Sequence, residues 1–214
     1  MDAPATSATG LQNRVTPFGD IIGTPARGAM MGNRGGRFHH PETRQLSARR
    51  WASKRWICCR LDFKDRQRTV WGDGYTELFF HDEASALAAG HRPCFECRRH
   101  EAVKFADAVR RAFGLTATPD AGWMDERLHA ERLVPPRERR TVVPESRLPD
   151  GTVVASADRA FVISGGEAYP WLDFGWGPQP VSPALLSDLR LVTPPLALGA
   201  LDAGYRPLLR TATG

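Results

Sequence analysis

A Cys-x2-Cys pair, Cys94 and Cys97, constrains the fold of this 214-residue chain more than any other sequence feature. Two thiolates at this spacing can bind one tetrahedral Zn²⁺ ion, with backbone amides of the tight turn supporting the sulfurs. A redox pair of the thioredoxin type would follow a strand of a βαβ unit, whereas a short predicted helix and an Arg-Pro step precede Cys94. We therefore predict a zinc knuckle whose other ligands come from elsewhere in the chain.

The other zinc ligands are expected among two upstream cysteines and the histidines. Residues 56–63 predict a strand, in which neighbouring side chains point to opposite faces, so one ion should bind only one of Cys58 and Cys59. Cys59 shares its face with three apolar residues, and we interpret this face as buried and Cys59 as the third ligand. His39 is our first choice for the fourth ligand, followed by Cys58, which a β-bulge would allow, or another histidine.

Membrane and secretion signals decide whether these cysteines meet a reducing environment. No stretch approaches the ~20 consecutive apolar residues that cross a bilayer, and residues 1–10 lack the basic and apolar regions of a secretory signal. We therefore expect a cytoplasmic protein without a membrane partner. Its cysteines are then expected to be metal ligands or reactive thiols rather than disulfides.

Positive charge is concentrated in the first half of the chain. Residues 1–114 carry 19 Lys and Arg against 12 Asp and Glu, and the segment 37–60 interleaves basic residues with Trp51 and Trp56. This pattern suits phosphate contacts combined with base stacking, and it equally describes a solvated basic surface. We predict DNA as the partner. The expected phosphate contacts are Arg49, Arg50, Lys54, Arg55, Arg92, Arg98 and Arg99.

Local patterns around the cysteine pair predict the elements of a small module. Two β-rich runs, residues 56–63 and 75–80, flank a Gly-rich turn and predict a β-hairpin. Asp82 is a typical N-cap for a short helix over 83–89, and a longer amphipathic helix ending at Gly114 follows the knuckle. Together these elements predict a zinc-stapled module of hairpin, helix, knuckle and helix.

The whole chain is predicted to belong to the α+β class, with the zinc-stapled module followed by a smaller β-containing C-terminal region. Residues 1–36 are expected to form a mobile tail and a Gly-rich entry, because they show no sustained hydrophobic period. The zinc module then spans 37–114, a helix and linker span 115–147, and the C-terminal region spans 148–214.

The helix predicted over 121–134 carries the candidates for enzymatic chemistry. Asp125, Glu126 and His129 lie at i+3 and i+4 spacing and so share one side of the helix. Such a group can bind a catalytic metal or perform acid–base work, as in a metal-assisted hydrolase or nuclease. A solvated helix face with ordinary ion pairs is the alternative. Cys58 is a further catalytic candidate through its thiol.

The stretch from Phe79 to Cys97, FFHDEASALAAGHRPCFEC, resembles the zinc-binding module of the Ada DNA methylphosphotriester repair family. With the upstream cysteines, the resemblance extends over residues 56–113. The wider sequence also resembles bacterial proteins of unassigned function that carry this module. The resemblance implies a zinc-bound protein that contacts DNA.

The resemblance also implies a role for the cysteines. In that family four cysteines bind zinc, and one of an upstream Cys-x3-Cys pair accepts a methyl group from a DNA phosphotriester. Cys94 and Cys97 match the downstream ligands, whereas the upstream pair here, Cys58 and Cys59, is adjacent rather than spaced by three. We therefore expect a structural zinc in a DNA-binding protein, with methyl-transfer repair as the lesser expectation.

Overall fold

The structure is a computed structural model that describes residues 10–65, 69–135, 138–142 and 147–211. The first nine residues of the predicted tail and parts of the predicted linker lie outside the described residues. The predicted α+β class is confirmed. The strands are β1 (Gln12–Val15), β2 (Ile21–Gly23), β3 (Met30–Arg34), β4 (His39–His40), β5 (Gln45–Leu46), β6 (Trp56–Cys59), β7 (Leu78–Phe80), β8 (Arg92–Pro93), β9 (Val153–Ser156), β10 (Arg159–Ser164), β11 (Glu167–Leu172), β12 (Gly175–Trp176) and β13 (Arg190–Leu191). The helices are α1 (Glu83–Ala88), α2 (Arg99–Ala112), α3 (Ala121–Arg132) and α4 (Pro195–Asp202).

Six strands form a mixed sheet in the order β2-β1-β7-β3-β6-β8. The strand β3 pairs antiparallel with both β6 and β7, whereas β6 pairs parallel with β8. The hairpin predicted from residues 56–63 and 75–80 is therefore wrong, because β3 separates the two strands. Gly32 of β3 makes this packing fit, since a Cβ there would collide with the carbonyl oxygen of Ile57 and the ring of Phe80.

The predicted N-terminal tail is wrong from residue 12 onward. The strands β1, β2 and β3 lie within residues 1–36 and supply half of the six-stranded sheet. Val15, Ile21 and Met30 from this segment are buried in the same apolar cluster as β6 and β7. These strands could not be recognised from the sequence because they are only three to five residues long. They are too short to display a period.

Five strands form a second, antiparallel sheet in the order β12-β11-β10-β9-β13, within the region predicted to contain β-structure. Its central strand β10 pairs with β9 and β11. Side chains alternate between its two faces: Val153 and Val162 pack towards α1, whereas Val154 and Phe161 pack in a separate cluster. The strands β4 and β5 form a small two-stranded sheet.

Helix α1 lies between the two sheets and the other helices, and all six of its residues are buried. Asp82 is the N-cap of the helix, as the sequence predicted, and it forms a capping box with Ser85. Ala86 packs in the core of the first sheet, Ala84 in that of the second, and Leu87 against the helices. The small side chains of α1 allow three layers to approach it closely.

The helices α2, α3 and α4 pack together against α1. The first two lie where the sequence predicted helices. None of the helices in the described part of the chain has the length and apolar character needed to cross a membrane. The shared core of this layer contains Leu87, Phe105, Val109, Met124, Leu128, Leu196 and Leu201.

Candidate metal centre

Three of the four cysteines converge at one end of the six-stranded sheet. The sulfur atoms of Cys59, Cys94 and Cys97 all lie within 4.8 Å of one another. Cys59 ends β6, and Cys94 directly follows β8, the parallel neighbour of β6. The N–H of Cys94 donates to the carbonyl oxygen of Cys58 at 3.0 Å. Strand pairing therefore brings Cys94 beside Cys59, and the Cys-x2-Cys turn returns Cys97 to the same point.

Backbone donors support the sulfurs in this turn. The N–H of Glu96 donates to Sγ of Cys94 at 3.4 Å, and the N–H of Arg98 donates to the carbonyl oxygen of Cys94 at 3.0 Å. Helix α2 begins at Arg99, so Cys97 lies beside the positive end of the helix dipole. Amide donors and the dipole both favour thiolates, which are the form of cysteine that binds metals.

Hydrogen bonds among the three thiols shift two of their pKa values in opposite directions. Bonds from Cys59 and Cys97 lower the pKa of Cys94 to about 2, whereas hydrogen bonding with Cys94 and Cys97 raises the pKa of Cys59. Thiolates at these three positions would bind a divalent cation directly, and metal binding would release the thiol protons.

Cys58 and Cys59 point to opposite faces of the sheet, as adjacent strand residues do. Cys58 is fully buried in the apolar cluster against α1, where burial raises its pKa. The structure brings Cys59, and not Cys58, into the thiol cluster. Cys59 is buried as expected, but β6 ends at this residue, and Leu61, predicted to share its face, is 46% exposed.

His39 lies outside the thiol cluster. Its ring stacks on Trp71, with centroids 5.3 Å apart. Its Nδ1 lies 2.8 Å from the hydroxyl of Thr76, and its Nε2 lies 2.9 Å from the carbonyl oxygen of Gly72. Both ring nitrogens are thus engaged in holding the segment before β7. The expectation that His39 is the fourth zinc ligand is corrected accordingly.

A cleft of about 430 Å³ opens beside the three sulfurs. One face of the six-stranded sheet lines it through Met31, Ile57 and Phe79, and Glu77 lies on the same side. Among the residues that the structure describes, no fourth Cys, His, Asp or Glu joins the cluster. A metal ion on the three sulfurs would keep one coordination position for a ligand from the cleft. Such an open position is typical of catalytic zinc.

Arg92 and Arg98, which flank the knuckle, are buried and form bidentate ion pairs. Arg92 donates to both carboxylate oxygens of Asp125 in α3, at 2.9 and 2.8 Å. Arg98 donates to both oxygens of Glu83 in α1, at 2.8 and 2.7 Å. The prediction that these two arginines contact phosphate is therefore wrong. Instead, they attach the knuckle to α1 and α3.

Glu83 is the important residue that the sequence reasoning missed. Besides Arg98, its Oε1 accepts from the hydroxyl of Tyr205 at 2.6 Å, and its Oε2 accepts from the N–H of Leu208 at 2.9 Å. Burial, followed by the charge of Glu83, raises the pKa of Tyr205. The signal was present in the sequence of α1, EASALA, where Glu83 is the only charged residue.

The other five predicted phosphate contacts lie at the surface. Lys54 donates to Glu126 at 2.5 Å in a solvent-exposed ion pair. Trp51 is 37% exposed, whereas Trp56 is buried. This part of the surface therefore presents basic groups and one accessible indole ring to a partner. The exposed basic residues are Arg49, Arg50, Lys54, Arg55 and Arg99.

The candidate catalytic residues of α3 do not form a common site. Asp125 points inward to Arg92, Glu126 is held at the surface, and Nδ1 of His129 lies 2.9 Å from Arg132. Burial, followed by the charge of Arg132, lowers the pKa of His129. No metal-binding group in the described ranges includes these three residues. The expectation of a hydrolase site on this helix is corrected accordingly.

The fold and the thiol cluster together define an α+β protein with a three-cysteine site that can hold a metal ion. No family model matches the chain, and no curated protein or solved structure matches it either.

Proposed function

We propose that the protein binds Zn²⁺ through Cys59, Cys94 and Cys97. The observation that carries this proposal is the convergence of the three sulfur atoms within 4.8 Å. Thiolates are soft donors, and zinc accepts them in tetrahedral geometry without redox chemistry. A cytoplasmic location, where thiols stay reduced, belongs to the same proposal.

Zinc at this position would join the end of β6 to β8 and to the start of α2. In this proposal its main role is structural, because metal binding adds its free energy to the folded state, and the open fourth position is the feature that favours the second candidate function below. We propose that the chain carries a variant of the Ada-type zinc module. Both downstream cysteines are kept in this variant, and Cys59 alone of the upstream pair binds the ion.

Native mass spectrometry tests the zinc site. The wild-type protein purified with zinc is expected to carry one ion per chain. Cys97→Ser should lower both zinc content and melting temperature. Cys58→Ala is the matched control, because Cys58 neighbours a ligand but lies on the opposite face of the sheet. Full zinc retention by Cys97→Ser would refute the assignment of the ligands.

We further propose that the exposed basic residues bind DNA. The support is the excess of positive charge in residues 1–114 and the exposure of Trp51 among basic residues. Arginine suits phosphate because its planar donors match two phosphate oxygens. The proposed contacts are Arg49, Arg50, Lys54, Arg55 and Arg99.

Fluorescence anisotropy with a labelled DNA duplex tests this partner. Affinity should fall steeply between 50 and 200 mM salt, with a log–log slope that reports the number of phosphate contacts. The double variant Arg49→Gln/Arg55→Gln should reduce that slope by about 2. Arg159→Gln, exposed on the second sheet, is the control. If the double variant had the same slope as the wild type, Arg49 and Arg55 would not be phosphate contacts.

The cleft beside the sulfurs favours a second candidate function, methyl transfer from a DNA phosphotriester. A zinc-bound thiolate is a nucleophile at neutral pH, and the cleft would admit a substrate to it. In this reaction a sulfur–methyl bond forms, the methyl–oxygen bond breaks, and a phosphodiester anion leaves. The adjacent spacing of Cys58 and Cys59 makes this candidate secondary to a structural zinc.

Intact-mass measurement after exposure to DNA carrying methyl phosphotriesters tests methyl transfer. A gain of one methyl group that maps to Cys59, Cys94 or Cys97 would establish the reaction. Unmodified DNA provides the control. An unchanged mass, together with one retained zinc ion, would leave the structural role alone.

A further inference from the structure

A second cavity, of about 310 Å³, lies between the β1–β2 loop, the end of β3 and the end of α3. It shares no lining residue with the cysteine cleft, so it is a separate site. Its lining is unusually basic and aromatic. The residues that give it this character are Arg34, Arg50, Trp51, Trp56, Arg132 and Arg139.

Arg34 is a buried cation with neutral partners. Its side chain donates to the carbonyl oxygens of Gly19 at 2.7 Å and Arg50 at 3.4 Å, and to Nε2 of His91 at 3.5 Å. His91 stays neutral, because burial and the charge of Arg34 lower its pKa. Arg34 is 2% exposed, so solvent does little to balance its charge.

Arg132 is a second cation of this kind. It donates to the carbonyl oxygens of Gly90 and Lys54, both at 2.8 Å, and lies 2.9 Å from Nδ1 of His129. Its buried Nε–H has no hydrogen-bond partner in the described part of the chain. The nearby carboxylate of Asp125 is already bonded on both oxygens to Arg92.

The two buried guanidinium groups meet at one indole ring. The Cζ atoms of Arg34 and Arg132 lie 4.0 and 3.9 Å from the ring centre of Trp56. Burial, followed by the charge of Arg132, lowers the pKa of Arg34 to about 9, and burial lowers that of Arg132 to a similar value. The ring offers partial compensation only, so the pair retains positive charge that a bound anion would balance.

The remaining charges of the cavity balance the pair only in part, because Asp20 raises the pKa of Arg34 less than burial and Arg132 lower it. Arg139 donates only to backbone carbonyl oxygens, as does the exposed Arg50. Asp20 is the one acidic residue in the described lining, and it is exposed. Among the described residues, no ion pair joins any of the four arginines to a carboxylate.

We propose that this cavity binds a phosphate monoester. A phosphate dianion offers several oxygens to the arginines of the lining, because guanidinium groups bond phosphate through paired, charge-assisted hydrogen bonds. Ligand pockets run from about 300 to 1,000 Å³, so a cavity of 310 Å³ suits a compact ligand. The accessible ring of Trp51, 5.9 Å from that of Trp56 between centroids, can stack on a planar organic group.

A nucleotide has both of these chemical parts, and it can come from two sources. The phosphate can belong to a free mononucleotide or to the 5′ end of a DNA strand. The proposal rests on residues that do not touch the thiol cluster, so it stands or falls independently of zinc. It also predicts recognition of a terminal phosphate, which binding of duplex DNA through its internal phosphates does not require.

Isothermal titration calorimetry of the zinc-loaded protein tests the ligand class. Inorganic phosphate is expected to bind, and adenosine monophosphate should bind at least about tenfold more tightly because stacking adds to the phosphate contacts. Adenosine without phosphate should give no measurable heat. Equal binding of adenosine and adenosine monophosphate would overturn the proposal.

Two exposed arginines provide a matched pair of variants. Arg50→Gln should weaken phosphate binding about tenfold, because a charge-assisted contact is lost. Arg44→Gln removes the same charge outside the lining and should leave the affinity unchanged. Trp51→Ala should weaken only the nucleotide. Equal losses in Arg50→Gln and Arg44→Gln would mean that general surface charge attracts phosphate, and would refute the cavity.

Single-stranded DNA with and without a 5′-phosphate identifies the source. Tighter binding of the phosphorylated strand than of adenosine monophosphate would assign the site to DNA ends, and the reverse order to free nucleotides. Arg34→Met should abolish the effect of the phosphate in either case, with circular dichroism confirming that the variant is folded. Failure of all phosphate-bearing ligands to bind the folded wild type would sink the proposal.

Discussion

Two pairs of buried arginines in this protein differ in what they bond. Arg92 and Arg98 donate to the carboxylates of Asp125 and Glu83, whereas Arg34 and Arg132 donate to carbonyl oxygens and histidine nitrogens. All four are at least nine-tenths buried. Burial alone therefore does not reveal the role of an arginine. A buried arginine that is paired with a carboxylate has a structural role, whereas one with neutral partners only can bind an anion.

The largest expected effect comes from removing the carboxylate of Glu83. Glu83→Gln leaves Arg98 buried without a counter-charge and weakens the bonds from Tyr205 and Leu208. Breaking one side of a buried ion pair costs about 3–5 kcal/mol. We expect a loss of that size in the free energy of unfolding, measured by urea denaturation with zinc bound.

Glu42→Gln provides the control for this measurement. Glu42 is exposed, and surface substitutions of this kind usually change stability by less than about 0.5 kcal/mol. If Glu83→Gln were as mild as Glu42→Gln, the first arginine pair would not have a structural role, and the comparison would collapse.

The second prediction concerns the ion pair between the knuckle and α3. Asp125→Asn should cost about 3 kcal/mol, because Arg92 loses its buried counter-charge. Glu126→Gln on the same helix breaks an exposed pair with Lys54 and should cost less than about 1 kcal/mol. Chemical denaturation of both variants checks the ratio. Equal losses would show that burial of the Arg92 pair adds nothing.

A smaller effect is expected from the arginines without carboxylate partners. Arg34→Met should cost about 1–2 kcal/mol, since it removes neutral hydrogen bonds and a cation–π contact but strands no buried charge. Arg98→Met strands Glu83 and should cost several times more. Thermal and urea unfolding in phosphate-free buffer test this order. A reversed order would contradict the distinction between the two pairs.

The smallest expected effects come from adding a carboxylate to the basic cavity or removing one from it. Gln12 is exposed in the lining of the basic cavity. Gln12→Glu should change stability by less than about 1 kcal/mol and should weaken phosphate binding several-fold. Asp20→Asn removes the acidic residue of the lining and should strengthen it. Calorimetric titration with phosphate distinguishes the two, and shifts in the same direction would argue against electrostatic binding.

Local sequence patterns were sufficient for the helices and the knuckle. Asp82 and Ser85 cap α1 within four residues of chain, and an apolar stripe that includes Phe105 and Val109 lies along α2. The Cys-x2-Cys turn is equally local. In each case the interacting groups are close in sequence, so spacing alone carries the physical information.

Contacts between distant segments were not readable in this way. The strand β3 enters the sheet between β6 and β7 because Gly32 leaves room for Ile57 and Phe80, and no local pattern predicts which strands will flank it. The fourth ligand was also misjudged, because His39 is claimed by Thr76 and Gly72. Tertiary partners decide such positions.

The partners of the arginines show the same limit more sharply. Arg92 and Arg98 read from the sequence as surface cations near a zinc module, yet their carboxylates lie 33 and 15 residues away along the chain. The sequence gives no sign of the environment of Arg34 and Arg132, because nothing in it places both guanidinium groups against the ring of Trp56. Charge composition therefore indicates a basic protein, but it does not show which arginines are buried in ion pairs and which could contact a phosphate.

The bond between Glu83 and the N–H of Leu208 spans 125 residues, and this separation has a consequence during synthesis on the ribosome. At about 5–20 residues per second, roughly 6–25 s separate the translation of the two partners. Throughout that interval the Glu83 carboxylate lacks its hydrogen bonds from Tyr205 and Leu208, and the start of α1 is incompletely covered. The core around α1 is therefore completed only when the segment with Tyr205 and Leu208 has been synthesised. A fragment that stops before Tyr205 would expose to chaperones the surface of α1 that this segment covers.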